Sequence, residues 1–154
     1  MKTFKITTLE QTQKLATSLA TQLQVGDVIA LYGTLGVGKT AFTRFLIQSL
    51  CGVQEEVPSP TFTLLQTYDT DNFAIYHYDL YRLKEPEEVF ELGIEDAFYD
   101  GVSLIEWPEK MGKILPVKKI LKIEITCVDN VRTFDISSDN LKWKDRLEKW
   151  NVQI

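Results

Sequence analysis

Eight consecutive residues, Gly33-Thr34-Leu35-Gly36-Val37-Gly38-Lys39-Thr40, match the spacing G-x-x-x-x-G-K-[ST] of a phosphate-binding loop. The glycines allow successive backbone N–H groups to curl around phosphate oxygens, and a helix that starts at the end of the loop adds positive potential. In such a loop Lys39 reaches the β- and γ-phosphates and the Thr40 hydroxyl ligates Mg²⁺. The bland reading is a chance glycine-rich turn. Context argues against it: Val28-Ile29-Ala30-Leu31-Tyr32 before the loop reads as a buried parallel strand, and Ala41 to Leu50 after it carries Phe42, Phe45, Leu46 and Leu50 at helical spacing. A nucleoside triphosphate site is expected.

A phosphate loop also needs an acid at a strand end to hold the metal shell. Two apolar runs end in one: Phe73 to Tyr78 leads to Asp79, and Val102 to Ile105 leads to Glu106. Carboxyl ends of strands face the ligand crevice of an α/β sheet, so either carboxylate could ligate the ion or orient water. His77, the only histidine, shares a strand face with Asp79, although packing and hydrogen bonding in the interior would also explain it. Ser59-Pro60-Thr61-Phe62-Thr63 offers hydroxyls in a loop of the kind that senses a γ-phosphate, and it also suits an ordinary turn. Trp107, beside Glu106, reads either as core or as a contact for nucleotide or partner.

These residues need a scaffold, and the remaining sequence supplies one. Thr8 to Gln11 has capping-box form, and Leu15, Ala16, Leu19, Ala20 and Leu23 then make one apolar helical stripe. Gly52 is placed to close the helix after the loop. Thr61 to Tyr68 and Phe73 to Leu80 read as strands around a turn. Pro86 is placed to start a helix. Ile120 to Ile125 and Val131 to Ile136 read as later strands, and Leu141, Leu147 and Trp150 mark a terminal helix. Strands interspersed with helices around a phosphate loop give an α/β fold, a P-loop NTPase-like three-layer sandwich with a mostly parallel central sheet.

At 154 residues one domain spanning 1–154 is expected, because a chain of about 150 residues buries roughly two-thirds of its unfolded surface. No apolar run approaches the roughly 20 residues of a membrane span, and the first six residues lack a signal-peptide core, so a cytoplasmic protein is expected. Cys51 and Cys127 are far apart and read as buried small hydrophobes in a reducing compartment. A net charge of −5 and a pI near 4.9 argue against direct, strong nucleic-acid binding and are compatible with a basic protein partner.

Taken together, the loop, Ser59-Pro60-Thr61-Phe62-Thr63-Leu64, His77-Tyr78-Asp79-Leu80-Tyr81-Arg82-Leu83, Pro86-Glu87-Glu88, Leu92 to Asp96 and Leu104 to Glu109 resemble the TsaE family. The resemblance spans roughly residues 8 to 136. It implies a bacterial ATPase that uses ATP and Mg²⁺ and acts with the TsaD–TsaB complex. That complex transfers threonylcarbamoyl to adenosine 37 of tRNA; the ATPase resets it and reaches tRNA only through its partners. On this chain the resemblance places Mg²⁺ on Thr40 and Glu106, phosphates on Lys39 and on the stretch Gly33, Leu35, Gly36, Val37, Gly38, Thr40 and Ala41, and an activity-linked acid at Asp79. Ser59 to Thr63, with Thr61 toward the nucleotide, corresponds to a switch-like loop; Trp107 is a nucleotide neighbour, and Thr12 and Arg132 fall where the base would lie. Thr34 and Val37 stand where the family usually has Asp and Ala. The Glu-rich segment Glu85 to Asp96 is one candidate docking surface.

Three other readings compete. A small-molecule kinase would need clustered arginines, and Arg44, Arg82, Arg132 and Arg146 are scattered. A GTPase would need an Asn-Lys-x-Asp segment, which is absent. A regulatory module that binds ATP and signals by shape would differ from an ATPase only in turnover.

Overall fold

The computed structural model describes residues 1–154 and contains one seven-stranded sheet flanked by helices. In chain order the elements are β1 (Lys2–Ile6), α1 (Leu9–Ala20), β2 (Val28–Tyr32), α2 (Lys39–Cys51), β3 (Leu65–Asp69) and β4 (Ala74–Asp79). A 3₁₀ segment (Pro86–Leu92), α3 (Ile94–Asp100) and β5 (Gly101–Glu106) follow. A second 3₁₀ segment (Pro108–Ile114), β6 (Leu121–Val128), β7 (Val131–Ser138) and α4 (Leu141–Lys149) complete the chain. The strand order is β1-β7-β6-β2-β5-β4-β3. The four central strands β6, β2, β5 and β4 are parallel, and the flanking β3, β7 and β1 pair antiparallel with their neighbours. This is the expected α/β three-layer arrangement.

Strand alternation divides the core into two layers. On β2, Ile29 and Leu31 join the larger cluster with Leu15 and Leu19 of α1, Phe42 and Leu46 of α2 and Trp143 of α4. Val28 and Ala30 face the other way, onto Ile94 and Ala97 of α3 and Met111 of the second 3₁₀ segment. The same parity orients the polar residues. His77 and Asp79 share the strand face of Ile75, which is in the α2-side cluster, and Glu106 shares that of Leu104 in the same cluster. All three polar side chains therefore lie on the layer that carries α2.

Local expectations hold where the signal is local. The capping box forms in both directions: Gln11 N donates to Thr8 Oγ1 at 3.1 Å and Thr8 N to Gln11 Oε1 at 3.3 Å. Gly52, at φ +108, donates its N–H to Gln48 and closes α2. The strand expected from Thr61 starts only at Leu65, because Leu64 N bonds back to Pro60 O at 2.6 Å in a turn that leaves Leu64 at φ +67. The helix expected from Pro86 is a 3₁₀ segment, ended by Gly93 at φ +70, before α3 begins. β1 was not expected. It adds an edge by pairing with β7, Lys2 opposite Ile136 through Ile6 opposite Arg132.

One expectation about the cysteines is corrected. Cys51 is half-buried, but Cys127 is exposed, because β6 runs past the core into the Asp129-Asn130 turn and its last residues have nothing to pack against. No helix is long and apolar enough to cross a membrane.

Candidate functional site

β2 ends at Tyr32 and the chain turns through the glycine loop into α2. Gly33 has φ +153, and a Cβ there would lie 2.7 Å from Val37 Cγ1 and 2.9 Å from the Ile125 carbonyl, so any side chain would collide with the loop's own wall. Gly38 is the N-cap of α2 at φ +119 and offers no side-chain cap. The first N–H groups of α2, at Lys39, Thr40 and Ala41, therefore lack helical partners at the helix's positive end. From the opposite edge Arg132 Nε donates to the Val37 carbonyl at 2.7 Å and fixes the loop to β7.

Lys39 is almost fully buried; its Nζ donates to the Gly33 carbonyl at 2.5 Å and lies 3.6 Å from the centroid of the Trp107 ring. Burial lowers the pKa of this ammonium, and the nearby Glu106, Glu109 and Asp79 carboxylates oppose that shift. An anion in the loop would stabilise the charge that burial penalises. Thr40 Oγ1 donates to Glu106 Oε1 at 3.0 Å. The other oxygen, Glu106 Oε2, lies 2.6 Å from His77 Nε2, and both side chains are buried. A carboxylate only accepts, so the proton of this bond lies on Nε2.

Asp79 is the register partner of Glu106 across the parallel β4–β5 pair, so the two carboxylates stand side by side at the strand ends. Asp79 Oδ2 accepts from Thr61 Oγ1 at 2.9 Å, Thr61 Oγ1 lies 2.7 Å from Ser59 Oγ, and Asp79 Oδ1 accepts from Tyr81 N at 3.1 Å. The Ser59–Thr63 loop is thereby tied to the acid beside the metal-ligand candidates. A cleft of about 290 Å³ collects Leu35, Gly36, Gly38, Lys39, Thr40, Ala41, Ser59, Thr61, Asp79, Glu106 and Trp107.

Most of the residues singled out in the sequence thus converge. Gly33, Val37 and Arg132 shape the loop from behind, and Thr12 is apart: it is buried in α1, its hydroxyl directed at the Thr8 carbonyl at 3.4 Å. Two roles were not read from the sequence. His77 holds Glu106, which reconciles interior packing with a place at the site, and Tyr81 packs its ring against Trp107 at 5.0 Å. Both lie two residues from Asp79, His77 before it and Tyr81 after it, but which neighbour each touches is set by the tertiary fold. Trp107 itself has φ +60, a left-handed conformation costing about 1–2 kcal/mol, and this turn carries its ring over Lys39.

Thr40 and Glu106 form a hard-oxygen pair suited to Mg²⁺, an ion that takes one or two protein ligands and fills its shell with phosphate oxygens and water. The geometry fits a phosphate-bearing ligand and its cation.

Residues 6–134 match the family model described as "Threonylcarbamoyl adenosine biosynthesis protein TsaE". The chain belongs to the TsaE family. The tRNA threonylcarbamoyladenosine biosynthesis protein TsaE of Rickettsia conorii is 48% identical over 121 residues, 79% of this chain and 69% of the relative. TsaE of Haemophilus influenzae is 44% identical over 110 residues, 71% and 68% of the two chains. The crystal structure of Bacillus subtilis YdiB superimposes with a TM-score of 0.78 at 28% identity, covering 97% of this chain and 93% of that one. Membership of the TsaE family places the chain in tRNA threonylcarbamoyladenosine biosynthesis.

Proposed function

We propose that this TsaE-family chain is a P-loop ATPase that binds ATP with Mg²⁺ in the Gly33–Thr40 loop and acts with a TsaD–TsaB complex, without itself transferring threonylcarbamoyl. The observation that carries the reading is the convergence of the Lys39 ammonium and the Thr40 hydroxyl of one loop on the Glu106 carboxylate of another strand. Mg²⁺, held by Thr40 and Glu106, would neutralise charge on the phosphates of the bound nucleotide.

The chain's own residues supply the rest. Lys39 exchanges the Gly33 carbonyl for phosphate oxygens, and the free N–H groups at the start of α2 cradle them. Thr61 links the Ser59–Thr63 loop to Asp79, so closure of that loop and placement of the acid are one event. Asp79 orients the attacking water and accepts its proton as the oxygen bonds the γ-phosphorus. The bond from that phosphorus to the β,γ-bridging oxygen breaks, releasing ADP and phosphate. Arg132 steadies the loop through the Val37 carbonyl, and the family resemblance sets the base on that side.

The acidic composition fits a role in the cytoplasm in which tRNA is held by the partners. Measuring ATP hydrolysis by the protein alone and with TsaD–TsaB tests the proposal. Turnover is expected, raised by the complex. No turnover in either setting, with ATP still bound, would replace the ATPase reading by that of a regulatory module.

A further inference from the structure

A second cleft, of about 710 Å³, adjoins the nucleotide-loop cleft, and Leu35 and Trp107 form their common wall. Its chemistry differs from its neighbour's. The rings of Tyr32, Tyr81 and Trp107 line it together with the carboxylates of Glu109 and Glu124, and no lysine or arginine is among its lining residues. We propose that this cleft docks an arginine side chain presented by a protein partner, its guanidinium against the aromatic rings and paired with Glu109 and Glu124.

The rings already attract cations from outside the cleft: Lys39 Nζ lies 3.6 Å from the Trp107 centroid and Lys122 Nζ 5.1 Å from that of Tyr32. Both carboxylates act at the same place. Burial pushes the Tyr32 phenol up, and Glu109 and Glu124 push it further, so the fields of both carboxylates converge on one ring of the cleft. Glu109 also has acidic neighbours beyond the cleft, interspersed with Lys110 and Lys113 of its own segment. Its 3₁₀ segment, Pro108–Ile114, packs against Pro86–Leu92, which carries Glu87, Glu88 and Glu91.

Arginine suits the cleft better than lysine, because a planar guanidinium stacks on aromatic rings and pairs bidentately with carboxylates at once. A nucleobase suits it less well. Adenine is neutral and makes no use of two carboxylates, whose charge would oppose the triphosphate next door.

The proposal takes its test partner, the TsaD–TsaB complex, from the proposed function, and the test separates the two. Glu109 and Glu124 are exposed, so E109Q/E124Q and E109K/E124K should fold. Affinity for TsaD–TsaB is measured alongside the ATP affinity of the isolated protein. Partner affinity is expected to fall about tenfold in E109K/E124K and less in E109Q/E124Q, with ATP affinity within about twofold of the original. Independently of any partner, N-acetylargininamide should quench tryptophan fluorescence saturably and its citrulline analogue should not, with about fivefold weaker arginine binding in E109Q/E124Q. Unchanged partner binding in E109K/E124K, or equal responses to the arginine and citrulline probes, would overturn the proposal. So would a loss of ATP affinity in E109Q/E124Q matching the loss of partner affinity, which would make the cleft a nucleobase site. Failure of the unaltered protein to bind ATP would instead count against the proposed function and leave the arginine measurement standing.

Discussion

Thr40, in the first turn of α2, donates its hydroxyl to Glu106 at the end of β5 at 3.0 Å, across 66 positions of sequence. That single bond joins the phosphate loop to the carboxylate beside it and fixes where a divalent cation would sit. Replacing Glu106 by Gln keeps an acceptor for Thr40 and removes the charge. Mg²⁺-dependent ATP affinity is expected to fall about 10- to 100-fold, while binding without Mg²⁺ changes little. Calorimetric titration of ATP with and without the ion checks this.

Lys39 is the only lysine or arginine lining the loop cleft. In Lys39→Ala, ATP turnover should drop by about 100-fold or more, with an unchanged circular dichroism spectrum. A fully active variant would refute the phosphate-binding role.

His77 holds Glu106 from beneath. Replacing it by Phe leaves a buried carboxylate oxygen without its partner and should cost about 1–3 kcal/mol of stability in urea unfolding. Because the freed carboxylate loses its orientation, the Mg²⁺ concentration needed for half-maximal ATP binding should also rise. His77→Gln, which retains a donor, should recover part of both, whereas a purely space-filling role would leave the Mg²⁺ dependence unmoved.

Asp27 and Arg146 tie α4 to the segment between α1 and β2. Arg146 Nη1 and Nη2 bond the two Asp27 oxygens at 2.7 and 2.8 Å, and Nη1 also reaches the Gln22 carbonyl at 2.7 Å. Asp27→Ala should destabilise the protein by about 3 kcal/mol by stranding a largely buried guanidinium, read from chemical denaturation. ATP affinity should be unaffected, since the clasp lies at the other end of β2 from the loop.

Tyr78 titrates far above the usual tyrosine range, chiefly through burial, with Tyr76 and Asp96 adding to the shift; its hydroxyl donates to the Leu92 carbonyl at 2.9 Å. The folded state therefore favours the neutral phenol. Its stabilising contribution is complete below about pH 10, the unfolded value, and is lost as pH rises through the folded value. Stability measured from pH 8 to about pH 11 should fall at the alkaline end, and Tyr78→Phe should flatten that fall at a cost of about 1 kcal/mol at neutral pH.

Features that depend only on neighbouring residues were legible in the chain. The phosphate loop is legible because its chemistry is contained in eight consecutive residues, and the α1 capping box and the Gly52 stop are legible for the same reason. The acids at Asp79 and Glu106 could be picked out because each ends an apolar run, and family resemblance alone divided their roles. Tertiary structure decided the pairings. Register between β4 and β5 sets Asp79 beside Glu106, strand parity turns His77 toward that acid, and β1 finds β7 from the far end of the chain. The left-handed turn at Trp107 then builds two clefts from one wall, uniting residues from β2, β4, β5 and β6. Hydrogen bonds and ring contacts between distant strands depend on sheet register, and no local spacing encodes register.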